Sequence, residues 1–83
     1  MHFAIGKVYR IDFCSGTIQE SRTKENAYKK PHELKYDFFA SEVRFVDCKF
    51  DDLSEGDTVL FSLTHYDGDM VIDTVKVPVY DDE

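Results

Sequence analysis

The side chains that most often carry catalysis or bind metals are scattered along this chain rather than grouped. His2, His32 and His65 share no spacing that suits a metal site or a catalytic triad. Cys14 has no neighbouring histidine or cationic cluster in the sequence to activate it as a nucleophile. Asp67-Gly68-Asp69 resembles part of a calcium-binding loop, but the later ligands of such a loop are missing, and a tight turn explains the same residues. The sequence therefore predicts a non-enzymatic protein with no catalytic site, no metal site and no cofactor.

Cysteine content and hydropathy indicate the cellular compartment that suits this chain. Cys14 and Cys48 are too few and too isolated for a disulfide framework, so both thiols are expected to be reduced. No apolar stretch reaches the roughly 18 residues that a membrane span needs. Lys7 and Arg10 interrupt the apolar residues near the N-terminus, so no signal peptide is predicted. These features predict a soluble, cytoplasmic protein with no membrane partner.

The length and the charge distribution favour one small domain with two unlike halves. The 83 residues suit a single core, and we expect the domain to span residues 1–79, followed by an acidic tail at residues 80–83. The formal net charge of −7 by itself argues against binding to polyanions. However, seven basic and four acidic residues lie between Met1 and Tyr36, against three basic and thirteen acidic residues from Asp37 to Glu83. The first half can therefore present a positive surface on an acidic body.

The spacing of apolar residues predicts an all-β domain. Apolar residues recur with a period near two, which is typical of strands, and no helical stripe persists over three turns. We expect five strands, over residues 3–13, 17–22, 36–40, 58–66 and 70–77. Ser15-Gly16 and Asp67-Gly68 are predicted hairpin turns. Five short strands with one long connection favour a small Greek-key barrel.

Three irregular segments interrupt this pattern. A bulge near Tyr9–Arg10 would turn Val8 and Ile11 inward together, and the orientation of the Tyr9 ring depends on where that bulge lies. The polar residues 23–35 are predicted to form a long exposed connection, with room for one helical turn. A single 3₁₀ turn is expected at residues 41–43, and residues 44–53 show no clear periodicity.

Four short motifs occur in a recognisable order along nearly the whole chain. They are Gly6-Lys7-Val8 on the first strand, Ser41-Glu42-Val43 after the third, Phe50–Phe61 (FDDLSEGDTVLF) before and within the fourth, and Ile72–Val77 on the last. In this order they resemble the cold-shock domain, a five-stranded OB-fold barrel. The Phe50–Phe61 segment carries the strongest likeness, because a Phe, a spaced Leu and an acidic residue before Gly lead into a V-x-F strand. An S1-like barrel is the nearest alternative, although the third strand fits the cold-shock pattern better.

The resemblance implies that single-stranded RNA or DNA binds on the face of the first three strands. In the family, bases stack there on aromatic rings while basic groups follow the phosphates. Ser15 and Thr17 stand where the first ribonucleoprotein motif has rings, and Arg10 stands at the position of a strand-one Trp. In the second motif, Asp37 replaces a ring and Phe39 stands where a His would stack. Binding is therefore expected to be weak.

Seven residues are the candidates for contacts with nucleic acid. Arg10 can stack its guanidinium on a base or bind phosphate, and otherwise it is a solvated strand residue. Phe39 alternates with Phe38, which should face inward, so Phe39 is either an exposed stacking ring or part of the core. The remaining candidates are Lys7 on the first strand, Phe50, which would otherwise pack at the barrel rim, and the loop lysines Lys24, Lys29 and Lys30.

Two classes of function remain open at this stage. The first is a non-enzymatic cold-shock-like domain that binds single-stranded RNA or DNA weakly. The alternative is a protein-protein interaction module, in which the barrel has kept its core, has lost its stacking face and uses its acidic half to meet a basic partner.

Overall fold

The computed structural model of the protein describes residues 2–78. The predicted acidic tail at residues 80–83 lies outside the described residues. Within the described part the fold is all-β, as predicted, with three short 3₁₀ helices at Pro31–Leu34, Ala40–Glu42 and Phe50–Asp52. No helix in residues 2–78 is long and apolar enough to cross a membrane.

Six strands make up the sheet within residues 2–78. They are β1 (Ala4–Ile11), β2 (Ser15–Glu20), β3 (Lys35–Phe39), β4 (Arg44–Val46), β5 (Thr58–Tyr66) and β6 (Asp69–Lys76). β5 has the bounds that the sequence predicts, and the other predicted strands are found within two residues of their expected ends. The extra strand is β4, whose few residues are too short a run for an alternating pattern to be visible in the sequence.

All six strands form one mixed sheet in the order β3-β2-β1-β5-β6-β4. Neighbouring strands are antiparallel except for β4 and β6, which run parallel. The hydrogen-bonded sheet is not closed into a barrel, and β3 and β4 are its two edges. Only residues 40–43 separate these two strands in the chain, and β3 also contacts β6. The two edges of the sheet are therefore held near one another.

The expected bulge in β1 is confirmed. Val8 pairs with Ile18 whereas Arg10 pairs with Thr17, so Tyr9 is the extra residue in the ladder. Val8 is buried, and the side chain of Ile11 packs against the core. The bulge thus turns both apolar residues inward while Tyr9 stays exposed.

The predicted Ser15-Gly16 turn is wrong. The chain turns at residues 12–14, where the Asp12 N–H donates to the Ser15 carbonyl at 2.8 Å, and Ser15 and Gly16 already belong to β2. Gly16 is required by packing instead, because a Cβ on it would lie 2.8 Å from the Phe38 Cζ. A contact with a distant strand, rather than the freedom to turn, explains this glycine.

The second predicted hairpin turn is confirmed. Asp67 and Gly68 join β5 to β6 with φ values of 52° and 87°, the left-handed region that a tight hairpin of this type needs. Tyr66 pairs with Asp69 across the turn. The hairpin carries the Tyr66 ring to the exposed end of β5.

The core lies on the inner side of the sheet. Its buried members are Val8, Ile18, Phe38, Leu53, Val59, Phe61, Ile72 and Val75. Phe38 is buried, as predicted, and pairs with Gly16, so its neighbour Phe39 points to the opposite side of β3. The core therefore determines which side chains of β1, β2 and β3 remain for binding.

Candidate nucleic-acid interface

The side of β1, β2 and β3 that points away from the core is called here the outer face. Because Val8, Ile18 and Phe38 point inward, the alternate residues of these strands point outward. The outward positions are Ile5, Lys7, Tyr9 and Arg10 on β1, Ser15, Thr17 and Gln19 on β2, and Lys35, Asp37 and Phe39 on β3. The outer face thus combines three cationic side chains with one carboxylate and two large rings.

A hydrogen-bonded polar row crosses the middle of the outer face. Arg10, Thr17 and Asp37 are neighbours across β1, β2 and β3. The Arg10 Nε–H donates to the Thr17 Oγ1 at 3.3 Å, and the Thr17 hydroxyl donates to the Asp37 Oδ1 at 2.6 Å. Thr17 is only 5% exposed between these side chains, so no base can stack at its position.

Arg10 keeps part of its guanidinium accessible despite these bonds. It also forms an ion pair with Asp12, and its side chain is 39% exposed. An exposed ion pair of this kind contributes only about 0–1 kcal/mol. A phosphate can therefore replace Asp12 as the partner of Arg10 at little cost.

The Tyr9 ring lies on the outer face, where the sequence left its orientation open. The Lys35 Nζ lies 4.0 Å from the centroid of this ring, so the ring reaches across β2 toward β3. Tyr9 is 54% exposed. An exposed ring beside an ammonium group can stack a base and bind its phosphate. Tyr9 and Lys35 were not among the predicted contacts, although the bulge that re-aims Tyr9 was visible in the sequence.

Phe39 is the second exposed ring of the outer face. It is 58% exposed and pairs with Ser15 at the end of β3. At about 3.3 Å per residue, Phe39 lies roughly 13 Å along the strand from Lys35. The two rings therefore offer separate stacking positions at opposite ends of the outer face.

Phe50 lies apart from this face. Its ring packs edge-on against Phe38, with 6.1 Å between the ring centroids, and it lies equally far from the ring of Phe45. Because Phe38 points inward, Phe50 belongs to the margin of the core. The structure thus places this predicted contact residue away from Arg10 and Phe39.

The loop between β2 and β3 is held in place by its own polar contacts. The buried Asn26 accepts a hydrogen bond from the Thr23 N–H at 2.8 Å and donates to the Ser21 carbonyl at 3.0 Å. The Arg22 guanidinium donates to the carbonyls of Asn26, Ala27 and Lys29. The long connection is therefore an ordered loop rather than a featureless one.

The loop lysines lie beside one end of the outer face. The loop leaves β2 after Glu20 and enters β3 at Lys35, which is the end where Lys7 and Gln19 pair. Lys24 and Lys30 are exposed, and Lys29 is half-buried. The loop that carries these lysines thus begins and ends at the end of the outer face opposite Phe39.

A groove of about 430 Å³ separates β3 from the β5–β6 hairpin, and we call it the seam groove. Its lining includes Asp37, Phe39, Glu42, Val43, Tyr66 and Asp73. None of the described residues that line it is basic. The seam groove is thus acidic and apolar, and it shares Asp37 and Phe39 with the outer face.

Two titratable groups depart from their ordinary behaviour. Hydrogen bonds from the Ser62 hydroxyl, at 2.5 Å, and from Thr74 lower the pKa of Asp73, which favours the ionised form of this carboxylate of the seam groove. Burial raises the pKa of the Cys48 thiol, which makes this thiol a poor nucleophile at neutral pH. In the described part of the chain, no group of three or more His, Cys, Asp or Glu residues is placed to hold a metal ion.

Comparison of the chain with protein-family models, with curated proteins and with solved structures finds no match.

Proposed function

We propose that this protein is a diverged cold-shock-like OB domain that binds single-stranded RNA or DNA weakly on its outer face. One observation carries the proposal: the exposed rings of Tyr9 and Phe39 share a sheet face with Lys7, Arg10 and Lys35. Exposed rings flanked by cations are the usual means by which proteins hold single strands without reading their sequence.

The strand order supports the OB-fold part of the proposal. β1, β2 and β3 form a meander, β1 also pairs with β5, and β5 pairs with β6. If residues 35–46 are counted as one strand that the 3₁₀ helix Ala40–Glu42 interrupts, the chain has five strands. In that count, β4 is the second half of the strand that begins with β3. Its parallel pairing with β6 then joins the two opposite edges of the sheet. This connectivity supports the proposal of a partly open Greek-key barrel.

The binding mode follows from the positions of the two rings. One base stacks on Tyr9, where Lys35 and Lys7 lie close to its phosphate, and another stacks on Phe39. Arg10 exchanges Asp12 for a phosphate between them. The loop lysines extend the positive surface beyond the Tyr9 end.

The polar row sets the strength of binding. A stacked base contributes roughly 1–3 kcal/mol, and the positions of Thr17 and Asp37, which would hold rings in the cold-shock family, provide no stacking. The Asp37 carboxylate also repels phosphates. Weak binding that depends strongly on salt is therefore expected.

The direct test is fluorescence anisotropy at low salt with labelled oligouridylate and oligothymidylate. Each probe is about eight nucleotides long, within the roughly 4–16 nucleotides that one OB fold covers. Tyr9→Ala and Phe39→Ala are each expected to weaken binding by about 5- to 150-fold, the equivalent of one lost stacking contact. Tyr66→Ala is the matched control, because Tyr66 is an exposed ring on the β5–β6 hairpin and lies outside the outer face.

Two results would contradict the proposal. The first is the absence of binding to either oligonucleotide at low salt. The second is binding that persists unchanged in both Tyr9→Ala and Phe39→Ala. A preference for one of the two probes would in addition assign the domain to RNA or to DNA.

A protein-interaction module is the second candidate function, and the polar row favours it. Arg10, Thr17 and Asp37 satisfy one another across the positions at which rings would be expected. A face organised in this way has exchanged stacking for internal hydrogen bonds. If neither oligonucleotide binds while a protein partner is recovered with the purified chain, this second function takes precedence.

A further inference from the structure

We propose that the seam groove is a second binding site, which takes up an extended peptide with both basic and apolar side chains and adds it to the edge of β3. This site differs from the proposed contact with nucleic acid, because it uses the backbone edge of β3 and the β5–β6 hairpin, and it shares only the side chains of Asp37 and Phe39 with the outer face. Three features of the groove support it: the direction of the β3 backbone groups, the apolar lining and the carboxylates.

The backbone of β3 points into the seam groove at alternate residues. The Ala40 N–H donates to the Cys14 carbonyl at 2.9 Å, so position 40 directs its backbone groups toward β2. In antiparallel pairing this direction alternates from residue to residue. Asp37 and Phe39 therefore direct their N–H and C=O groups away from β2. Since β3 is an edge of the sheet, these groups can pair with an added strand.

The lining provides contacts for apolar side chains. The exposed rings of Phe39 and Tyr66 stand on opposite sides of the groove, and Val43 and Val71 lie between the strands that carry them. A volume of about 430 Å³ is within the roughly 300–1,000 Å³ typical of ligand clefts. An apolar side chain of a bound peptide can be buried between the two rings.

Charge complementarity identifies the remaining side chains of the occupant. Asp37, Glu42 and Asp73 carry the charges of the lining, and none of its described residues is basic. A nucleic-acid strand would be repelled here, whereas lysine or arginine side chains would be attracted. Asp37 and Phe39 project to the same side of β3. On the matching side of an added peptide, an apolar residue therefore contacts the Phe39 ring and a basic residue two positions away reaches the Asp37 carboxylate.

Fluorescence anisotropy with the complete chain tests the site. The probe is a labelled peptide in which pairs of lysines alternate with pairs of valines, so that each side of the extended chain carries both residue types. The matched probe replaces each lysine with glutamate. The lysine-valine peptide is expected to bind and the glutamate-valine peptide is not. Equal binding of the two peptides, or no binding of either, would overturn the proposal.

Matched variants show whether binding occurs in the groove. Glu42→Lys is expected to weaken the lysine-valine peptide by roughly tenfold, since it reverses a charge of the lining. Glu25→Lys makes the same change in overall charge on the exposed loop between β2 and β3, and it should have a much smaller effect. Tyr66→Ala should also weaken the peptide, whereas Tyr9→Ala should not. Equal losses in Glu42→Lys and Glu25→Lys would show that only the overall acidity of the protein attracts the peptide.

Strand addition itself is tested through the peptide backbone. N-methylation of alternate residues on one edge of the lysine-valine peptide removes the N–H groups that would pair with Asp37 and Phe39, and methylation of the other edge leaves them in place. One of the two methylated peptides is expected to lose binding while the other retains it. If both bind as tightly as the unmodified peptide, the occupant does not extend the sheet.

Discussion

The outer face and the seam groove lie on either side of one strand, and they differ in charge as well as in shape. The outer face is broad and carries Lys7, Arg10 and Lys35, whereas the seam groove is narrow and its charged lining is acidic. Both include Asp37 and Phe39 of β3. The difference shows that the net charge of −7 describes neither surface.

The geometry of a strand explains how β3 takes part in both regions. Its side chains stand perpendicular to the sheet, so Lys35 and Phe39 reach the outer face. Its backbone groups lie in the plane of the sheet, and those of Asp37 and Phe39 point toward the hairpin. One edge strand can thus contribute side chains to one ligand and backbone groups to another.

The largest expected effect that separates the two regions concerns their three exposed rings. Phe39→Ala should weaken the binding of both the oligonucleotides and the lysine-valine peptide. The expected loss of binding free energy is about 1–3 kcal/mol for the oligonucleotides, which lose one stacked base, and a similar amount for the peptide. Tyr9→Ala should affect only the oligonucleotides, and Tyr66→Ala only the peptide. Parallel anisotropy titrations of the three variants provide the measurement. If Phe39→Ala affects neither ligand, the two regions do not share β3 in the way described.

A smaller effect, of opposite sign in the two regions, is expected for Asp37→Asn. The amide oxygen still accepts the hydrogen bond from Thr17, so the polar row remains intact while its negative charge is removed. A unit charge pair in water is worth about 1 kcal/mol at 4 Å. Oligonucleotide affinity should therefore rise by roughly fivefold, and peptide affinity should fall by a similar factor. Changes in the same direction for both ligands would remove the electrostatic distinction between the two regions.

The smallest expected effect concerns the stability of the groove side at low pH. The pKa of Asp73 is lowered in the folded protein, so its ionised form stabilises the fold above the ordinary aspartate range, near pH 4, and this contribution is lost as the pH falls through the lowered value. Ser62→Ala removes the main hydrogen bond to this carboxylate. The variant should be less stable than the parent protein at neutral pH by up to about 1 kcal/mol.

Urea unfolding at neutral pH and near pH 2 measures this difference. The difference in unfolding free energy between Ser62→Ala and the parent protein should narrow at the lower pH, because protonation of Asp73 weakens its charge-assisted hydrogen bond from Ser62. Ser41→Ala, at an exposed position, is the control and should show no such pH dependence. A gap that is the same at both pH values would show that Ser62 acts through packing alone.

Much of the fold could be predicted because it depends on local patterns. The alternation of Phe38 and Phe39 predicts which ring is buried, and Asp67-Gly68 predicts the β5–β6 turn from its backbone preferences alone. The bulge in β1 is visible because Val8 and Ile11 could not both face inward in a regular strand. In each case neighbouring residues contain the whole signal.

The features that could not be predicted depend on distant contacts. In the sequence, Gly16 suggests a turn. In the structure, the ring of Phe38 from another strand packs against it and leaves no room for a Cβ. The Tyr9 ring lies beside Lys35, which belongs to another strand, and the short strand β4 exists because β6 pairs with it. The seam groove depends on which strand forms the edge of the sheet, which no local pattern specifies.

The most direct test of the central claim is an NMR titration of the uniformly ¹⁵N-labelled protein with oligouridylate at low salt. We expect amide shifts that saturate and that concentrate on the outer face, at Lys7, Tyr9, Arg10, Lys35 and Phe39. Saturating shifts confined to the β5–β6 hairpin, or no shifts at any concentration of the oligonucleotide, would contradict the assignment of the outer face to nucleic acid.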